Sequence, residues 1–242
     1  MSEARTVLPL SADPFLKQRY DHLWSETRER IRAGNVDIDA VLAHKQADLR
    51  LGMTALFRPS EQVRKRVAEL LDRLRELEPD QYYYDPAELH VTFLSLFTAT
   101  EKHESFFARA EEYVEAVSAG IREMSSFRIF FTGITAASGA IMAQGFTDAA
   151  KLNTARDILR GELRSRDLDQ GLDQRYRLET AHMTMVRFRQ PLRDGKLFAE
   201  ALERMRNFEF GQTDADCLEL VRNDWYMSRG RTERLQTYRL AV

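Results

Sequence analysis

An α+β fold of two antiparallel-sheet-and-helix lobes, related by an internal pseudo-two-fold around a central cleft, is the architecture that this sequence predicts. Three observations lead there. Strand–helix–strand patterns recur in both halves of the chain, a His-x-Thr triplet falls in a late strand of each repeat, and no low-complexity tract or flexible linker intervenes.

The chain opens with a helical extension, expected to span residues 1–48. From Asp13-Pro14 to about Arg32, apolar Phe15, Tyr20, Leu23, Trp24 and Ile31 fall near helical spacing, and Gly34-Asn35 supplies a stop. A second short helix is expected across Ile38–Gln46. Both precede any triplet, so the extension reads as packing on the main body rather than as the chemical unit.

The body, 49–242, follows a repeated plan. Leu49–Phe57 is a strand, Ser60 caps a helix running to about Leu77, and Leu89–Phe97 is the strand that carries the first triplet. A long amphipathic helix over Ser105–Met124 follows. Phe127–Ile134 and Ala140–Phe146 read as two strands joined by a turn, and Asp148–Arg166 as a helix. Arg177–Phe188 then holds the second triplet, Asp194–Arg206 is helical, and Asp216–Met227 with Glu233–Ala241 reads as a closing hairpin around Ser228-Arg229-Gly230.

Composition narrows the function. Charged residues make up 31% of the 242 but leave a net charge of −2, so there is no global basic field for non-specific nucleic-acid binding. Any anion must be held locally. The single cysteine, Cys217, excludes an internal disulfide and a multi-cysteine metal site, and suits a reducing compartment. No apolar h-region opens the sequence and no stretch approaches the roughly 18 apolar residues that span a bilayer. The expectation is a cytoplasmic monomer with no membrane contact.

The triplets carry the chemistry. They stand in Glu-Leu-His-Val-Thr-Phe-Leu, as His90-Val91-Thr92, and in Thr-Ala-His-Met-Thr-Met-Val, as His182-Met183-Thr184. Five histidines give about 0.3 such triplets by chance. In a strand, residues i and i+2 project from one face, so each triplet aims an imidazole and a hydroxyl the same way. Two strands related by a dyad bring His90 and His182 to opposite walls of one cleft. That arrangement suits in-line displacement at phosphorus, which needs a base for the attacking oxygen and an acid for the leaving one. Imidazoles, with a pKa near about 6.5, fill both roles. The Thr92 and Thr184 hydroxyls donate to the non-bridging oxygens, and the scheme requires no metal and no cofactor.

At these residues the chain resembles the two-histidine (2H) phosphoesterases, which include cyclic nucleotide phosphodiesterases and 2′–5′ RNA ligase-like proteins. Their signature is a pair of His-x-Thr/Ser-x motifs ending in an apolar residue, here His90-Val91-Thr92-Phe93 and His182-Met183-Thr184-Met185. The resemblance implies a bilobal α+β fold with both motifs facing a shared groove. It also implies His90, Thr92, His182 and Thr184 as catalytic residues and a nucleotide or RNA end bearing a phosphodiester as partner. The helical extension departs from the minimal family pattern.

Other residues are secondary candidates. Tyr84, in Tyr82-Tyr83-Tyr84, and Tyr226, beside Trp225, either stack a base or pack the core. Arg229 and Arg231, in the hairpin turn, either meet phosphate or remain in solvent. Arg187 lies at an odd offset from His182, so strict alternation points it away from the cleft. His22, His44 and His103 read as structural or solvated. Two histidines without a further His, Cys or patterned carboxylate fall short of a tetrahedral zinc site. Two other functions fit the same groove: a binding module that senses nucleotide or RNA without turnover, and an RNA end-joining ligase running the reaction in reverse.

Overall fold

The computed structural model describes residues 13–241. Its first helix, α1 (Pro14–Arg32), starts where Asp13 accepts hydrogen bonds from the Phe15 and Leu16 amides and Pro14 presets the first turn. Leu16, Tyr20, Trp24 and Ile31 form its buried stripe. A 3₁₀ segment, Ala40–Ala47, replaces the second expected helix, and Asp39 caps it.

The body contains two antiparallel sheets. The first unit is β1 (Leu51–Phe57), α2 (Glu61–Leu77) and, after the two-residue β2 (Tyr82–Tyr83), β3 (Val91–Thr100). Two helices follow, α3 (Glu104–Phe107) and α4 (Ala110–Gly120), then β4 (Phe127–Ala137). The second unit is β5 (Ala140–Phe146), α5 (Ala149–Ser165) and β6 (Met183–Arg187). The chain closes with α6 (Gly195–Arg204), β7 (Glu209–Ala215), β8 (Cys217–Asp224) and β9 (Glu233–Arg239).

The pseudo-dyad is legible in the strand order. One sheet runs β3-β1-β8-β9 and the other β2-β6-β5-β4-β7, so β6-β5-β4-β7 repeats the order of the first sheet with β2 added at its edge. The helices α2 and α5 hold equivalent places, each following the first strand of its unit and each opened by a side-chain cap, Ser60 on Val63 N and Asp148 on Lys151 N. Buried Val63, Val67, Leu70 and Leu74 on α2 show the period that turns an amphipathic helix onto a sheet.

Several sequence expectations change. The helix expected over 105–124 is broken at Ala108–Arg109. Phe106 stacks on Phe97 at 4.4 Å, while the Arg109 guanidinium reaches the Arg166 and Asp167 carbonyls, so two anchors pull the chain in different directions. The second motif strand is shorter than expected, beginning at Met183, and residues 166–182 reach it as turns and irregular chain. The strand β7 escaped the pattern because its sequence, Glu-Phe-Gly-Gln-Thr-Asp-Ala, is largely polar and lies at a sheet edge. No helix among the described residues is long and apolar enough to cross a membrane.

The leading helices are wired into the body rather than laid over it. Tyr20 on α1 donates its hydroxyl proton to Gly145 O at 3.0 Å and accepts from Ala181 N at 3.2 Å, one residue before His182. Burial pushes the Tyr20 phenol far up, so this group remains a neutral donor.

Candidate active site

His90, Thr92, His182 and Thr184 line one cavity of about 170 Å³ between the two sheets. Thr54, Ser95, Arg187, Asn223 and Trp225 share the lining, and the loop Asp173–Tyr176 forms its outer side. This volume is smaller than the roughly 300–1,000 Å³ that takes a whole drug-sized ligand. It has room for a phosphate group, with the remainder of a larger ligand lying outside.

The strands aim these side chains by an irregularity that both motifs share. Leu56 pairs with Thr92 and Ala55 with Leu94, which leaves Phe93 as an extra residue in β3. Met142 pairs with Thr184 and Ile141 with Val186, which leaves Met185 as an extra residue in β6. Each is a β-bulge, and each resets the alternation of the residues beyond it. Thr92 and Ser95 therefore share the cavity face, as do Thr184 and Arg187. The expectation that Arg187 points away is corrected by this extra residue.

Each imidazole is held through Nδ1 by the residue two positions earlier. His90 Nδ1 lies 2.8 Å from the Glu88 carbonyl, which can only accept, so Nδ1 carries the proton and Nε2 presents its lone pair. His182 Nδ1 lies 2.7 Å from Thr180 Oγ1, a hydroxyl able to donate or accept. Thr180 was visible in the sequence beside the second triplet; the i−2 spacing that also places Glu88 is the signal that marks it.

The electrostatics favour neutral rings in the resting site. Burial pulls His90 from the ordinary 6.5 down to about 4; its bond to Glu88 opposes this, and Arg58, His182 and Arg187 add to it. His182 also falls to about 4, from burial first and then from the Arg156 and Arg187 charges. An anion between the rings would reverse both shifts. Arg187 supplies fixed positive charge on the cavity wall and is held by Tyr84, whose oxygen accepts from Nε at 2.9 Å.

The secondary candidates separate. Tyr84 lines the cavity but is only 2% exposed, and its hydroxyl holds Arg187. Tyr226 is 0% exposed and lies outside the cavity, donating to the Asp39 carboxylate at 3.1 Å from both oxygens. Tyr84 thus borders the cavity from a buried position, and Tyr226 packs away from it. Arg231 reaches the Asp48 carbonyl, and Arg229 is exposed and borders a separate hollow with Arg58 and Arg64, so the turn places neither in the cavity. Trp225 does line the cavity, its ring covered by the guanidinium groups of Arg175 at 4.6 Å and Arg50 at 5.0 Å. Among the described residues no three His, Cys, Asp or Glu side chains gather as metal ligands.

No family model matches the chain, and no curated protein matches it in sequence. Solved structures match its fold. The protein TT0787 of Thermus thermophilus superposes with a TM-score of 0.55 at 18% identity, over 79% of this chain and 97% of that one. A phosphoesterase gives 0.53 at 15%, over 80% and 99%. Escherichia coli LigT in complex with 3′-AMP gives 0.51 at 13%, over 80% and 99%. In fold this chain resembles these phosphoesterase and LigT structures, in keeping with the resemblance to the two-histidine phosphoesterases that its paired motifs carry.

Proposed function

We propose that this chain is a metal-independent phosphoesterase that opens a 2′,3′-cyclic phosphate, or cleaves a related nucleotide or RNA-end phosphodiester, with His90 and His182 as its acid–base pair. The observation that carries the reading is the convergence of two imidazoles, two threonine hydroxyls and the Arg187 guanidinium on one phosphate-sized cavity. The LigT complexes with 3′-AMP and with phosphate, at TM-scores of 0.51 and 0.50, support a nucleotide or phosphate ligand on this fold.

The Nδ1 partners favour His90 as base. Its Nε2 lone pair takes a proton from water as the water oxygen attacks phosphorus, and the P–O bond to one ribose oxygen breaks. His182 delivers a proton to that leaving oxygen, giving a phosphomonoester and a free hydroxyl. The Thr180 hydroxyl accepts from Nδ1 of protonated His182, which leaves the Nε2 proton for the leaving oxygen. Thr92, Thr184 and Arg187 meet the charge on the non-bridging oxygens.

The test is an assay of purified protein against 2′,3′-cyclic mononucleotides, cyclic-phosphate RNA ends and cyclic dinucleotides, with and without EDTA. Turnover of at least one substrate, unaffected by the chelator, is expected. Loss of activity in EDTA with rescue by a divalent ion overturns the metal-independent scheme. Tight nucleotide binding without turnover makes the chain a binding module instead.

A further inference from the structure

Arg156 lies mid-helix on α5 and is 0% exposed, on a buried face that also carries Leu152, Leu159, Arg160 and Leu163. A buried arginine ordinarily sits against a carboxylate. Arg160, one turn later, follows that rule, pairing with Asp173 and Asp157. Arg156 forms no ion pair among the described residues, and its donors go to three main-chain carbonyls and one side-chain amide. Nε donates to Phe93 O at 2.7 Å, and Nη2 to Thr92 O at 3.1 Å and Thr180 O at 2.8 Å; Nη1 donates to Asn153 Oδ1 at 3.2 Å.

Those carbonyls belong to both motifs. Phe93 is the extra residue of the first bulge, and β3 is the edge strand of its sheet, where carbonyls lack a neighbouring strand. Thr180 is the residue whose hydroxyl holds His182. A single planar, rigid fork therefore joins the two lobes, touching carbonyls two and three residues after His90 and two residues before His182. We propose that Arg156 is a positioning residue that sets the distance between the His90–Thr92 wall and His182, and so the gap in which the phosphate sits. This deepens the function proposed above and concerns the same cavity.

The missing carboxylate has a purpose in this arrangement. An acidic partner would cancel the positive potential offered to an anion, whereas carbonyls satisfy the donors and leave the charge in place. Burial, and then Arg160, pulls the guanidinium down to about 9, which still leaves it charged at neutral pH. The groups facing His182 are Arg156 from α5, Arg187 from β6, His90 from the first motif, Tyr20 from α1 through Ala181 N, and Asp173, Arg175 and Tyr176 from the outer loop.

The test compares Arg156→Met, Arg156→Lys and the parent by three readouts: kinetics on a cyclic phosphate, NMR titration of the His182 ring without substrate, and the imidazole separation in a crystal structure. Misplacement by about 1 Å costs about 10²-fold, so Arg156→Met should lose about 10²-fold in kcat with little change in KM. Its His182 should titrate higher because a neighbouring cation is gone. Arg156→Lys keeps the charge but not the fork, so its His182 pKa should stay while kcat falls by about 10-fold. Parental kcat in folded Arg156→Met overturns the proposal; if that variant does not fold, parental kcat in Arg156→Lys does so. If the parent turns over no substrate, the proposed function fails by itself. An unchanged imidazole separation in either variant then overturns the positioning role independently.

Discussion

Phe93 and Met185 occupy the same place in two different strands: each is the extra residue of a bulge immediately after a motif threonine. Both side chains are 0% exposed, so each bulge turns its apolar residue into the core and returns the strand to the cavity face one residue later than alternation allows. Ser95 and Arg187 reach the cavity by this route. The repeat of the device in both lobes makes the bulge part of the pseudo-dyad, and it places a fixed cation, Arg187, on the second motif strand.

Arg187 is therefore expected to matter as much as a threonine. Arg187→Met removes a donor and a charge aimed at the non-bridging oxygens, and kcat/KM should fall by about 10²-fold or more. Tyr84→Phe keeps Arg187 but deletes its acceptor, and a loss of about 10-fold or less is expected. Kinetics on any cyclic phosphate that the parent hydrolyses decide this. Arg187→Met at parental kcat/KM would show that the guanidinium does not meet substrate.

Gly145 tests how β5 seats the second motif. A Cβ built there would stand 2.1 Å from Ala181 O, a main-chain atom one residue before His182. Gly145→Ala should cost about 1–3 kcal/mol through overpacking and lower kcat by displacing His182. Gly161→Ala is the control, since a Cβ on that exposed turn of α5 meets nothing within 4 Å and should stabilise by up to about 1 kcal/mol. Thermal melts and kcat for both variants check the pair, and a Gly145→Ala protein with parental Tm and kcat contradicts the account.

The two triplets were legible because an imidazole and a hydroxyl at i and i+2 need only a strand to converge. What lay hidden has specific causes. Arg187 was masked by one residue of bulge, which no local pattern announces. Tyr226 reads in sequence as either a stacking platform or a core residue, and what decides between them, its long-range bond to Asp39, has no local signature. Asp173, Gln174, Arg175 and Tyr176 form the outer wall of the cavity from an irregular stretch whose contacts no local periodicity reveals. The leading helices read as packing, and only the fold shows Tyr20 bonded beside His182.

Stability should carry the imprint of the neutral histidines. Both rings drop to about 4 on folding, so between pH 6.5 and 4 the unfolded chain binds protons that the native state does not. Stability is fully retained above 6.5 and falls as pH drops toward 4, by at most about 3 kcal/mol per half-buried ring. Denaturant titrations at pH 7 and 4.5 on the parent and on His90→Asn/His182→Asn check this. The double variant should show the shallower dependence, and an equal slope in both proteins would contradict neutral resting rings.

Catalysis should show the opposite pull of the substrate. Productive chemistry needs one neutral and one protonated ring, and kcat/KM reports the free enzyme while kcat reports the complex. With both free rings near 4, the singly protonated pair is scarce at neutral pH, so kcat/KM should decline from an acidic optimum. A bound phosphodiester anion raises both pKa values, which moves the optimum of kcat to higher pH. Replacing either histidine with Ala should cost about 10²–10⁴-fold in kcat, and the double replacement little more, because the pair acts as one unit. Profiles of kcat and kcat/KM from pH 4 to 9 on one cyclic phosphate separate the cases. Coincident optima would mean that the anion does not sit between His90 and His182, since a charge placed there cannot leave their titration unmoved.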